Sequence, residues 1–213
     1  RTFFLFELRY FLRGWMVWIF LFIIGLMLFG AASSDNVVVG GGLGNTNRNA
    51  PWVLQNFYAI TSVLTLLMTT AFVNNAAIRD YRFNTNQMVF SLPISRQGYL
   101  WGRFLGAAFV SVIPALGVTL GVLAAPLAPW ADADRFAAFP WHAHWNGLLT
   151  FAIPNTFFIA AILFGIAISF RSTTVSFISA LLLLVFFGVT DSFSGDLKNE
   201  SLAAMLDPFG ARA

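Results

Sequence analysis

The 213-residue chain has no cysteine, one lysine, two histidines and only 10% charged residues. The lack of cysteine excludes a disulfide framework, a thiolate metal site and a thiol nucleophile. The lone lysine, Lys198, follows Leu197, so the phosphate-binding G-x-x-x-x-G-K-[ST] loop cannot be built. Neither H-E-x-x-H nor G-x-S-x-G occurs, which removes the common metallopeptidase and serine-hydrolase chemistries. A soluble domain carries roughly 25% charged residues, and this chain falls far below that. Its long apolar runs hold no charge near their centres, which argues against a proton-driven carrier working through buried carboxylates.

What fills the chain instead is apolar. Hydrophobic residues make up 58% of it, with 25 phenylalanines and seven tryptophans, and the mean hydropathy is +0.76. Such a surface suits lipid and its interfaces. Crossing the roughly 30 Å hydrocarbon layer takes about 20 apolar residues in a helix, and five stretches qualify: 15–32, 53–78, 99–125, 147–170 and 173–190. Strands are excluded, because an open sheet edge cannot be satisfied in lipid. The expected fold is an all-α membrane protein, with an N-terminal helix over 1–14 lying in the interface and five transmembrane helices after it. The alternative for 1–14 is an extension of the first span with its arginines snorkelling. Connections fall at 33–51, 79–98 and 126–145, with a tight turn at Arg171.

The charges divide unevenly between the two sides. Arg1, Arg9, Arg13, Arg79, Arg82, Arg96, Arg103 and Arg171 share one side with Glu7 and Asp80. The other side has Arg48, Arg135, Lys198 and Arg212 against seven of the nine acids. The positive-inside rule places the first side, and the N-terminus, in the cytoplasm.

Several groups stand out as candidates. Tyr58, Thr61, Ser62, Thr65 and Thr69 give the second span a hydroxyl-lined face, which serves either as glue between helices or as part of a path. Asn155 beside Pro154 either satisfies a freed carbonyl or adds a substrate contact. Gly98, Gly102 and Gly106, then Gly117 and Gly121, repeat every fourth residue and let another helix come close, inside the subunit or in a dimer. Pro114 and Pro154 are expected to kink their helices. His142 and His144 form an H-x-H that reads as interfacial composition or, less simply, as a metal pair. The Gly-rich run at 40–44 reads as a linker.

The segment 79–98 is unusual for a connection between spans. Phe83, Met88, Phe90 and Leu92 alternate with charged and amide residues, as in a short helix lying crosswise at the membrane surface, and Pro93 stops it. Here the chain resembles the ABC-2 type permeases, the membrane subunits of bacterial ABC exporters. In that family an Arg-Glu pair leaves the second span, followed by Gly-Thr, an acidic residue and Leu-hydrophobic-x-Pro-x-Ser-Arg. Arg79-Asp80, Asn84-Thr85, Gln87 and Leu92-Pro93-Ile94-Ser95-Arg96 stand at those positions, and the order of spans agrees along nearly the whole chain.

The resemblance implies a six-span subunit of the bacterial inner membrane that works as a homo- or heterodimer. It implies a separate ATPase subunit that holds ATP and Mg on the cytoplasmic face, and no cofactor, catalysis or nucleic-acid binding in this chain. Arg79, Asp80, Tyr81, Arg82, Phe83, Asn84, Thr85, Gln87, Met88, Leu92 and Pro93 would then form the coupling element. Residues 191–213 would form an outer segment, with a sixth span beyond. The chain also resembles a subgroup joined to a zinc aminopeptidase-like domain, in which these spans would serve as an anchor.

Overall fold

The computed structural model describes residues 2–39, 46–91 and 93–193. The Gly-rich run at 40–44, Leu92 and the outer segment from 194 onward lie outside the described residues. Among those described there is no strand. The helices are α1 (Thr2–Arg13), α2 (Trp15–Ser33), α3 (Pro51–Arg82), α4 (Asn86–Ser91), α5 (Arg96–Val112), α6 (Leu116–Ala124), α7 (Trp141–Gly147), α8 (Ile153–Phe170) and α9 (Thr173–Phe193). Four stretches are long and apolar enough to cross a membrane: Trp15–Ser33, Pro51–Arg82, Arg96–Leu127 and Trp141–Phe170. The apolar part of α9, Thr173–Val189, is shorter. The chain is an all-α membrane protein.

Helix α3 has 32 residues, about 48 Å at 1.5 Å per residue. That exceeds the hydrocarbon thickness of about 30 Å, so its last turn extends past the layer and carries α4 with it. The third span is broken where Pro114 removes a backbone donor: a 3₁₀ turn over Ile113–Ala115 joins α5 to α6. Ahead of Pro154 the chain relaxes into a π-helical turn over Leu148–Ala152. The loop expected to run to residue 145 ends sooner. Trp141 begins a helix, so His142 and His144 lie inside the fourth span and not in a connection.

The glycine steps divide by partner. A Cβ built on Gly102 would lie 2.6 Å from Phe3 Cβ, and one on Gly106 would lie 2.5 Å from Glu7 Cβ. These two seat α1 against α5. At Gly117 the added atom would lie 2.7 Å from the Leu21 carbonyl oxygen, and Gly121 meets the Gly25 carbonyl as closely, which seats α2 on α6. Gly98 has a different place. Its nearest neighbour is the Ser95 hydroxyl, which accepts the Gly98 N–H at 3.2 Å and caps α5, so among the described residues of the chain no second helix packs against it.

At the end away from α4, two loops are clamped together. Arg48, 3% exposed, pairs with Asp35 at 2.8 Å and donates to the Ala32 carbonyl at 3.2 Å. Asn49 exchanges two hydrogen bonds with the Ala137 backbone, at 2.6 and 2.9 Å.

Candidate functional site

Helix α3 stops through its backbone geometry. Asn84 takes a left-handed conformation at φ 56°, the Thr85 N–H reaches back to the Asp80 carbonyl at 2.9 Å, and the Asn84 N–H reaches the Tyr81 carbonyl at 3.3 Å. This is a Schellman cap, which wants Gly or Asn at that position. The chain is thereby turned sharply into α4, whose first turn begins with Val89 N–H donating to the Thr85 carbonyl at 3.0 Å.

Helix α4 is held on one side only. Phe90 meets the edge of Tyr99 at 5.7 Å and Tyr81 at 6.1 Å between ring centroids. Phe83 and Met88 are 64% and 76% exposed, and Arg82, Thr85, Gln87 and Pro93 are exposed as well. A short helix with one anchored face, carrying the bare Met88 and preceded by the bare Phe83 at the cap of α3, is shaped to enter a groove.

Beneath it lies a group that sequence reasoning missed. Glu7 of α1 is 0% exposed and accepts from Arg79 Nη2 of α3. Arg103 of α5 stands 3.3 Å from the same Glu7 oxygen and pairs with Asp80 through Nη2. It also donates to the Ala76 carbonyl at 2.9 Å, and Tyr99 donates to Asp80 Oδ2 at 2.6 Å. Arg79 and Asp80 therefore do not pair with each other. Each reaches across to a different helix, and the four charges bind α1, α3 and α5 into one neutral unit.

Aromatic faces complete the unit. The Arg79 guanidinium lies 4.2 Å from the Tyr10 ring centre, and that of Arg103 lies 4.8 Å from Tyr99. Burial pushes the Glu7 carboxyl above its ordinary range, while Arg79 and Arg103 pull against that rise. Arg79, Asp80 and Arg103 are buried, but close to the helix ends and paired with opposite charge, which is how lipid-depth charge is tolerated. Glu7, an acid alone in an apolar helix, was the available signal.

The hydroxyl face of α3 is closed by helix packing. Tyr58, Thr61, Ser62, Thr65 and Thr69 are all buried. Ser62 and Thr65 donate to backbone carbonyls of their own helix at 2.8 Å. Thr61 and Thr69 hydroxyls are buried without a partner, and Asn155 is half-buried on α8. Tyr58 is the hub of the far end: its hydroxyl lies 2.7 Å from Thr119 Oγ1 and 3.2 Å from His144 Nδ1. Gly147 leaves space for the Tyr58 ring, and Phe139 stacks on His144 at 4.6 Å. His144 is buried while His142 is exposed, so the two histidines do not meet.

The family model described as ABC-2 family transporter protein covers residues 3–204. No curated protein and no solved structure matches the chain.

Proposed function

The chain belongs to the ABC-2 family of transporter proteins, and from that premise we propose that it is the membrane subunit of an exporter driven through residues 79–96. Membership makes it a multi-pass permease subunit of an ABC transporter, a type of protein that works with an ABC ATPase subunit. The finer reading is ours. ATP and Mg are held by that separate ATPase, and the power stroke enters this chain at α4. The permease is one of two that together enclose the path. The basic side faces the cytoplasm of a bacterial cell, and the cargo moves outward.

One observation carries this reading. Phe83, at the cap of α3, and Met88, on α4, form a bare apolar tip, while the last turn of α3 is tied through Arg79 and Asp80 to α1 and α5. A push on the tip is delivered to three helices at once. Phe83 and Met88 are the anchors, joined by Leu92 beyond the described residues. Asn84 and Thr85 set the angle of α4 through the cap. Tyr81 holds Phe90, Arg82 and Gln87 offer polar contacts at the rim, and Pro93 fixes the turn into α5.

Burying each anchor is worth about 1.5–3 kcal/mol, a large share of a small interface. Phe83→Ala with Met88→Ala should therefore cost the complex its ATPase, or leave ATP hydrolysis without export, while the protein still inserts in the membrane. Pull-down of the ATPase together with transport in vesicles reads both. Unchanged ATPase retention and unchanged export in that double variant overturn the proposal.

A further inference from the structure

Between α5 and α8, at the α4 end, lie two adjoining cavities of opposite character. The first, about 410 Å³, is lined by Arg96, Arg103 and Arg171 together with Tyr81 and Tyr99. The second, about 360 Å³, is lined by Trp101, Phe104, Ala161 and Gly165. Leu100, Phe164 and Ile168 belong to the walls of both, so a cationic head and an apolar trough lie side by side.

The cationic part is prepared for an anion. Arg96 and Arg171 are exposed, and among the described residues neither has a carboxylate partner. Arg171 is fixed by its left-handed backbone at φ 50° and by its stacking 4.5 Å from the Tyr81 ring centre. Arg103 is 4% exposed, and its Nε is buried with no partner. Among the described residues no carboxylate lines this cavity, so none of them would receive the ammonium of a zwitterionic headgroup. Guanidinium groups match phosphate oxygens in pairs. The trough opens sideways: a Cβ on Gly165 would meet nothing within 4 Å, and Trp101, 61% exposed, stands where tryptophans mark the headgroup level.

We propose that this composite pocket binds one phospholipid of net negative charge. Its phosphate rests on Arg96 and Arg171, and one acyl chain lies in the α5–α8 trough. Basic pockets between spans at an anionic leaflet bind such headgroups. A soluble phosphate ester would satisfy the arginines but leave the trough unfilled, so the lipid is the better fit. The proposal rests on the reading that this end of the spans faces the anionic cytoplasmic leaflet, and it stands or falls apart from ATPase coupling.

Native mass spectrometry of the full-length protein, released from micelles with added lipid, tests it. Dioleoyl phosphatidylglycerol should be retained at one copy, with about tenfold or greater preference over dioleoyl phosphatidylcholine. Arg96→Gln with Arg171→Gln should bring the two lipids to near parity. Gly165→Phe fills the trough without touching a charge and should release the phosphatidylglycerol, which keeps the test alive if the double variant does not fold. Equal retention of both lipids, undiminished preference in the folded double variant, or full retention by Gly165→Phe each overturn the proposal. Displacement of the lipid by excess glycerol phosphate would assign the site to a soluble phosphate compound instead.

Discussion

Replacing Arg103 by methionine keeps an unbranched stem about as long as the arginine's as far as Nε and removes the guanidinium with its charge. Asp80 would retain only the Tyr99 hydroxyl, and Glu7 would retain only Arg79. The neutral quartet would become a buried group with one excess negative charge. Breaking a buried ion pair from one side costs about 3–5 kcal/mol, because the abandoned charge stays desolvated. Loss of the 2.9 Å donation to the Ala76 carbonyl adds to that cost. Total stabilities run to about 5–15 kcal/mol, so this is a severe loss. For a chain of this size it corresponds to a drop in Tm of about 6–20 °C. The purified protein, with its seven tryptophans, can be followed by intrinsic fluorescence on heating.

The decisive comparison is Arg103→Met together with Asp80→Asn. The second change removes the stranded charge, leaves an amide oxygen to accept from Tyr99, and returns the cluster to neutrality. The double variant should recover at least half of the loss. Distant, independent changes add to within about 0.3–0.5 kcal/mol, so recovery on this scale reports direct coupling. If Arg103→Met melts with the parent, or the double variant loses the sum of both single losses, the quartet does not hold α1, α3 and α5 together.

Three further outcomes are expected. Asn84→Gly should keep the cap and the transport activity, whereas Asn84→Val places a β-branched residue in the left-handed region at a cost of about 1–2 kcal/mol and should impair coupling before stability; transport per ATP hydrolysed distinguishes the two. Thr61→Val removes a buried hydroxyl that has no partner among the described residues and should leave the melting temperature equal or raised, so a clear loss of stability would mean the hydroxyl is satisfied; a selective loss of transport would favour the substrate-path reading of this face. In a chain without native cysteine, Ala138→Cys should label from outside intact cells and Asn86→Cys only after permeabilisation, and labelling of the latter on intact cells reverses the orientation.

The membrane class, the helical fold and the broad course of the spans follow from the sequence alone. They depend on local quantities: the length of an apolar run against the thickness of the bilayer, the missing donor of Pro114 and Pro154, and the two sides' unequal share of arginine. The family resemblance was carried in the same way, by short motifs such as Asn84-Thr85, where one backbone conformation fixes the residue type. What α1 does could not be read locally. Its pattern of phenylalanines and arginines fits an interfacial helix equally with or without a partner. Only the folded chain brings Gly102 and Gly106 beneath Phe3 and Glu7, and only then does Glu7 meet guanidiniums that lie 72 and 96 positions away in the sequence. The same holds for the hydroxyl face of α3 and for His144. Periodicity put hydroxyls on one side of a helix, but whether that side opens on a path or closes on its neighbours is decided by which helices pack there. Ion pairs and buried hydrogen bonds depend on distances of a few ångströms between residues remote in the chain, and that information exists only once the helices have docked.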